Sequence, residues 1–154
     1  MIPQRILIAT DGSPAAKAAE ALGADLAALM SNARPVNVVV LSVIHDAGHV
    51  TPAGGVIPPS AESGDAARIS AEGADHVRAL LGGNAAANPI KVEAKVVQSL
   101  TPGGGIIAEA HATDTCSMII LGNRGHGGLA EALLGSVSQH VVHEAHCPVM
   151  IARA

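Results

Sequence analysis

The stretch from Leu121 to Val137, LGNRGHGGLAEALLGSV, carries the residues best suited to chemistry in this chain. Gly122, Gly125 and Gly135 stand at the spacing G-x2-G-x9-G-S, with Ser136 closing the motif. Glycines at a strand end let the backbone turn sharply and bring its N–H groups close to a ligand. A helix start adds unpaired N–H donors and the positive end of a dipole, which together favour a phosphate. Ser136 suits either a helix cap or a hydroxyl donated to the same anion. Glycine-rich turns alone are often plain loops. The long spacing and the preceding apolar run Met118-Ile119-Ile120-Leu121, which reads as a buried strand, make this one a stronger signal.

Other reactive side chains group less well. Arg124 and His126 lie inside the loop, and Arg124 has the donor fork that a phosphate oxygen accepts from. No G-x4-G-K-[ST] sequence is present, and no protein ligand for a magnesium ion can be named. His140, His143 and His146 recur every third residue beside Cys147. A soft metal would use such types, but a helix running into a strand turns them apart, and a solvated helix face is the better reading. The two cysteines, Cys116 and Cys147, each begin an expected strand. They read as small buried hydrophobes, and lie near each other if those strands are parallel neighbours.

The elements that must position the motif alternate between strand and helix. Strands are expected at Arg5–Ala9, Val36–Ile44, Ile90–Val97, Ser117–Leu121 and Pro148–Ala152. Helices are expected at Ala15–Met30, Ala66–Leu81, Thr101 to about Ala112, and Ser136–Ala145. The first helix has Ser13 as cap and Pro14 at its first position. Leu22, Leu26, Leu29 and Met30 read as its apolar side, and Ile69, Val77, Leu80 and Leu81 as that of the second. The nearly continuous apolar run of the second strand implies burial on both faces, hence a parallel sheet covered by helices. The third strand alternates Ile90, Val92, Ala94 and Val96 with Lys91, Glu93 and Lys95, which places it at a sheet edge. Gly103-Gly104-Gly105 reads as a loosely formed helix start, with a phosphate loop as the alternative. The segment His45–Gly64, broken by Pro52, Pro58, Pro59 and several glycines, reads as a loop able to fold over a ligand. The fold class is therefore α/β, with crossover helices over an open parallel sheet, in a single domain spanning 1–154.

Composition narrows the function. The net charge is −4, so no electrostatic footprint for nucleic acid is visible. Phe, Tyr and Trp are absent, which removes the stacking platform for single strands and leaves an aliphatic core. The longest apolar stretch, Val36 to Ile44, is too short to span a bilayer, and no signal peptide is expected. The expectation is a soluble cytoplasmic protein with neither nucleic acid nor membrane as partner.

Three segments together resemble the universal stress protein family: Ile6-Leu7-Ile8-Ala9-Thr10-Asp11-Gly12-Ser13, the complete G-x2-G-x9-G-S motif, and the closing Cys147-Pro148-Val149. The resemblance runs the length of the chain and points to the ATP-binding subgroup, which the motif marks. It implies a five-stranded parallel sheet in the order 3-2-1-4-5 with helices on both faces. It also implies a site in the crevice where strand order reverses between the first and fourth strands, the usual ligand position in open α/β sheets. By the same resemblance Asp11 contacts the adenosine portion and Val43 meets the adenine through its backbone. Leu121 and Gly122 line the nucleotide, while Gly125, Gly135, Ser136 and Val137 hold phosphates. A carboxylate such as Asp11 suits a ribose hydroxyl or the adenine amino group, not a bare phosphate; a turn aspartate capping the first helix is the alternative. The implied cofactor is ATP or another adenine nucleotide, with a divalent ion such as magnesium bridging its phosphates. The implied partner is a second copy, joined as a homodimer through the last strand.

The leading functional reading is a nucleotide-dependent regulator in a stress response. Alternatives are a slow ATP hydrolase or phosphotransferase, for which no convincing base is present, and a nucleotide-free interaction module. No catalytic or metal residue is assigned.

Overall fold

A computed structural model describes residues 4–45, 60–83, 86–123 and 134–154, with residues 60–63 described in backbone only. The elements are β1 (Gln4–Ala9), α1 (Pro14–Met30), β2 (Val36–His45), α2 (Ser60–Leu81), β3 (Ile90–Ser99), α3 (Pro102–His111), β4 (Cys116–Gly122), α4 (Ser136–Glu144) and β5 (Val149–Ala152). The five strands form one parallel sheet in the order β3-β2-β1-β4-β5. The implied order is thus observed, with β1 and β4 adjacent at the reversal.

Alternation along the strands divides the core into two layers. Ile6 and Ile8 of β1, Val36, Val38 and Val40 of β2, and Ile120 of β4 pack with α1 and α2 on one face. Leu7, Val39, Leu41, Ile119 and Leu121 pack with Ile106 of α3 and Val141 of α4 on the other. All of these are at most 4% exposed. The central strands are wetted on neither face, which is why β2 reads as a continuous apolar run. β3 lies at the edge, and its strand carries many exposed positions, as its alternation predicted.

The inward face of α1 differs from the expectation. Leu22, Leu26 and Met30 are only partly buried, and Leu29 is 67% exposed. The face turned to the sheet is Ala16, Ala19, Gly23, Ala24 and Ala27. A side chain at Gly23 would begin 2.3 Å from Ile8 Cδ1, so small residues are what allow this helix to lie close to the strands. The leucines line the rim of that contact. In α2, Leu80 likewise turns outward, while Ala66, Ala74 and Val77 are buried. α2 also begins at Ser60, inside the segment read as loop. Gly64 sits within the helix on an exposed face, where nothing lies within 4 Å of an added Cβ. A glycine there weakens a helix without ending it. Residues 46–59 of the expected loop lie outside the described residues.

Gly103-Gly104-Gly105 forms the first turn of α3, capped by Thr101, whose Oγ1 accepts from the Gly104 N–H at 3.1 Å. The helix start is the correct reading, but the turn is close-packed. A Cβ at Gly103 would meet His140 at 2.9 Å, and one at Gly105 would meet Val43 at 2.7 Å. The glycines admit α4 and β2 against the helix. α3 is fixed to the sheet by a buried ion pair between Arg5 and Glu109, with Lys95 Nζ 2.9 Å from the same carboxylate. Among the described residues, no helix is long and apolar enough to cross a membrane.

Candidate functional site

The reversal point is built from the ends of β1 and β4. After β1 the chain turns at Asp11-Gly12, with Gly12 at a φ of 77°, a conformation glycine adopts without strain. The Ser13 N–H donates to Asp11 Oδ1 at 2.9 Å, and Ser13 Oγ in turn accepts from the Ala16 N–H at 3.2 Å. Asp11 therefore orders the turn and Ser13 caps α1. Asp11 is exposed at the mouth of this turn, in keeping with either reading of its role.

β4 ends directly against the start of α1. A Cβ at Gly122 would stand 2.7 Å from Ala15 Cβ and 2.8 Å from the Ala15 carbonyl carbon. Only glycine admits this approach. The Gly122 carbonyl accepts from Ser138 Oγ at 2.8 Å, which ties β4 to α4. Beyond Gly122, the Asn123 N–H donates to the Ala152 carbonyl of β5 at 2.8 Å. The Asn123 carbonyl accepts from the Gly135 N–H, also at 2.8 Å. The first and third glycines of the motif are thereby brought together although ten positions of sequence, 124–133, lie between their neighbours Asn123 and Leu134. Gly125, Arg124 and His126 fall in that span and lie outside the described residues.

Gly135 is the cap of α4 and has no side chain to satisfy the first helical amides. Ser136 is the first helical residue, exposed, and not the cap. Val137 is half-buried against the α3–α4 layer, as is Val43 near the end of β2. Leu121 is buried in that layer. The described residues thus bring Leu121, Gly122, Gly135, Ser136 and Val137 to one corner, beside the α1 start that carries Asp11. Val43 reaches the same layer through α3.

Residues not foreseen from the sequence buttress the turn from behind. Glu20, 2% exposed in α1, accepts from Thr10 Oγ1 at 2.7 Å and pairs with His76 Nδ1 of α2 at 2.7 Å. Ser42 Oγ donates to the Thr10 carbonyl at 3.0 Å. Gly73 leaves room for the Glu20 carboxylate: a Cβ there would lie 2.8 Å from its Oε1. A cleft of about 440 Å³ opens here between α1 and α2, bounded by Asp11, Gly12, Lys17, Arg68 and Glu72. It lies on the α1–α2 side and does not include β4. The one sequence signal for this cluster is an acidic residue within the alanine-rich inner face of α1. Its partner His76 is 56 positions away.

Among the described residues, no group of three or more His, Cys, Asp or Glu side chains is arranged to hold a metal. His140 packs over Gly103, and His146 stacks on His111 with ring centroids 4.3 Å apart. The histidine series is split between two surroundings.

With a parallel sheet reversing between β1 and β4 and a glycine pair closed across that corner, the comparisons with known proteins agree on one group. The model of the universal stress protein family matches residues 3–153. The chain belongs to the universal stress protein family. A universal stress protein of Mycolicibacterium smegmatis is 32% identical over 148 residues, covering 96% of this chain and 45% of that protein. One from Synechocystis is 40% identical over 62 residues, covering 40% of this chain and 57% of the other. This universal stress protein chain thus spans about half the length of these curated relatives.

Solved structures share the fold along the full length. Universal stress protein UspA from Lactobacillus plantarum superposes with a TM-score of 0.71 at 24% identity, covering 99% of both chains. The Archaeoglobus fulgidus universal stress protein in complex with dAMP gives 0.71 at 20% identity, covering 99% of both. A family member from Arabidopsis thaliana with AMP bound gives 0.61 at 17%, covering 98% of this chain and 92% of that one.

Proposed function

We propose that this universal stress protein binds an adenine nucleotide, ATP foremost, at the corner between β1 and β4, and acts as a nucleotide-dependent regulator in stress response. The observation that carries the reading is the hydrogen bond from Gly135 to Asn123, which sets the uncapped start of α4 beside the end of β4. Amides at a helix start, unsatisfied by any capping side chain, are suited to phosphate oxygens. Gly135, Ser136 and Val137 supply them, with Gly125 as the further glycine of the motif. Leu121 and Gly122 line the nucleotide where the sheet reverses. Asp11 accepts from ribose hydroxyls or the adenine amino group, and the Val43 backbone meets the base. The adenine nucleotides held by structural neighbours support the ligand class. Magnesium enters with the phosphates rather than through a preformed protein site.

In this reading the pair of copies forms through β5, whose outer edge has no neighbouring strand among the described residues. An apolar edge of this kind is a template for a further strand.

Because the chain has no Trp, Tyr or Phe, bound adenine dominates its near-ultraviolet absorption. Purified protein is denatured and the released small molecules are chromatographed; recovery of an adenine nucleotide in simple proportion to chain supports the proposal. The count of phosphates separates ATP from AMP. An empty spectrum together with an unchanged melting temperature on adding ATP or AMP refutes it.

A further inference from the structure

The thiols of Cys116 and Cys147 meet at the start of β4 and β5, at the end of the sheet opposite the glycine corner. Their Sγ atoms are 3.5 Å apart, with Cys147 donating to Cys116, and Cys116 donating in turn to the Met118 carbonyl at 3.6 Å. Both are free thiols and half-buried. Their approach is fixed by the sheet. β4 and β5 are hydrogen-bonded in parallel, and the Ile119 N–H donates to the Pro148 carbonyl at 2.9 Å, one residue beyond Cys147. On the other side, the Arg5 N–H donates to Ser117 Oγ at 3.2 Å, holding the start of β4 to β1. Closing from this separation to a disulfide of about 2.05 Å requires each sulfur to move by less than an ångström, within the reach of side-chain rotation. Among the described residues no third ligand completes a metal site around them, so the geometry suits sulfur–sulfur chemistry.

We propose that Cys116 and Cys147 form an oxidation site, at which a hydroperoxide converts the two thiols into a reversible intrachain disulfide. Burial, followed by the neighbouring Cys147 thiol, pushes Cys116 up to about 12 against the opposing pull of the Arg5 guanidinium. The chemistry is the same from either sulfur; take Cys147 as the one that ionises. Its thiolate takes an oxygen from the hydroperoxide; the O–O bond breaks, the second oxygen leaves as water or alcohol, and Cys147 becomes a sulfenic acid. Cys116 then attacks that sulfur. The S–S bond forms, the S–O bond breaks, and the hydroxyl leaves as water with the Cys116 proton. Two electrons pass in total from the sulfurs to the peroxide, and a dithiol returns them on reduction. The resulting ring encloses β4 and α4 together with the whole glycine motif. Its constraint on the unfolded chain raises thermal stability. The proposal is independent of nucleotide binding.

The test uses the full-length reduced protein, treated with stoichiometric hydrogen peroxide and then with a maleimide. Intact mass is expected to show the loss of both maleimide-reactive thiols and of two hydrogens in a chain of monomer mass, reversed by dithiothreitol. Melting temperature rises by several degrees on oxidation. Cys116→Ser and Cys147→Ser are each expected to stop at a sulfenic acid on the remaining cysteine, trapped by dimedone. Persistence of both thiols, accumulation of sulfinic acid on wild type, or linkage between chains overturns the proposal.

Discussion

Replacing Gly122 by alanine adds one methyl group at the point where β4 meets α1. That carbon would sit 2.7 Å from Ala15 Cβ, 2.8 Å from the Ala15 carbonyl carbon and 3.0 Å from its oxygen. Carbon atoms pack comfortably at about 3.5–4.0 Å, so relief needs a displacement of roughly 1 Å. Two of the three atoms are backbone, and Ala15 lies in the first turn of α1, anchored through Ser13 to the Asp11 turn. The strain cannot be absorbed by rotating a side chain. Overpacking of this kind costs about 1–3 kcal/mol. Stiffening of the unfolded chain by alanine offsets about 0.4–1 kcal/mol. The net loss is up to about 2.6 kcal/mol, or a fall in Tm of up to roughly 10 °C for a domain of this size. Gly64→Ala is the control: it makes the same chemical change in an exposed helical position with nothing within 4 Å. There the gain in helix propensity, about 0.5–1 kcal/mol, raises Tm by roughly 1–4 °C. Both are read by far-ultraviolet circular dichroism, since the chain has no Trp, Tyr or Phe to report on folding by fluorescence. A Gly122→Ala protein that melts above wild type refutes the close approach of α1 to β4, and with it the shape assigned to the corner.

Glu20→Ala removes the acceptor for Thr10 and the partner of His76; urea unfolding should show a loss of about 1–3 kcal/mol, and an unchanged midpoint would deny the buttress behind the Asp11 turn. The Cys116 thiol, raised from 9.0 to about 12 in the folded chain, gives stability a definite slope with pH. The unfolded thiol ionises first, so its contribution is intact below pH 9 and is lost as pH rises towards about 12; reduced wild type should lose Tm over this window more steeply than Cys116→Ser, and parallel curves would contradict the shift. For the β5 edge, Val149→Lys is expected to give monomer in sedimentation, but Val149 is also packed into the α3–α4 layer. Met150→Lys, at a residue 36% exposed, separates the two effects: it should give folded monomer, and a dimer surviving it would place the interface elsewhere.

The sheet was legible because its central strands bury both faces. Val36 to Ile44 is apolar for that reason, and β3 alternates because it is an edge. Strand order is not written in periodicity; it followed from the resemblance carried by the β1 end and the glycine motif. α1 was misread on its leucines because propensity and hydrophobicity reward large apolar residues, whereas its contact with the sheet is set by how little volume intervenes. The start of α2 was missed at Ser60 because Gly64 counts as a breaker locally but meets no constraint on an open helix face. At the site, Gly122 and Gly135 were visible through their spacing, yet their closure through Asn123 depends on two backbone groups that no side-chain pattern encodes. Glu20 was invisible for a similar reason. A carboxylate in an alanine-rich helix is ordinary until a histidine and a threonine from other elements are seen to meet it.

The inner face of α1 has a consequence for how this chain can vary. Ala16, Ala19, Ala24 and Ala27 have only glycine beneath them in size, and Gly23 has nothing. Nearly every replacement along that stripe must therefore add atoms to a space already filled, while Leu29, 67% exposed, can be shortened or made polar with little packing to lose. The helix is consequently asymmetric in what it tolerates: inward it admits almost no change, and at Leu29 almost any. Burying alanine and glycine also freezes no side-chain torsions. Apart from Glu20, the contact of α1 with the strands is made without the rotamer entropy that a leucine or methionine seam would surrender.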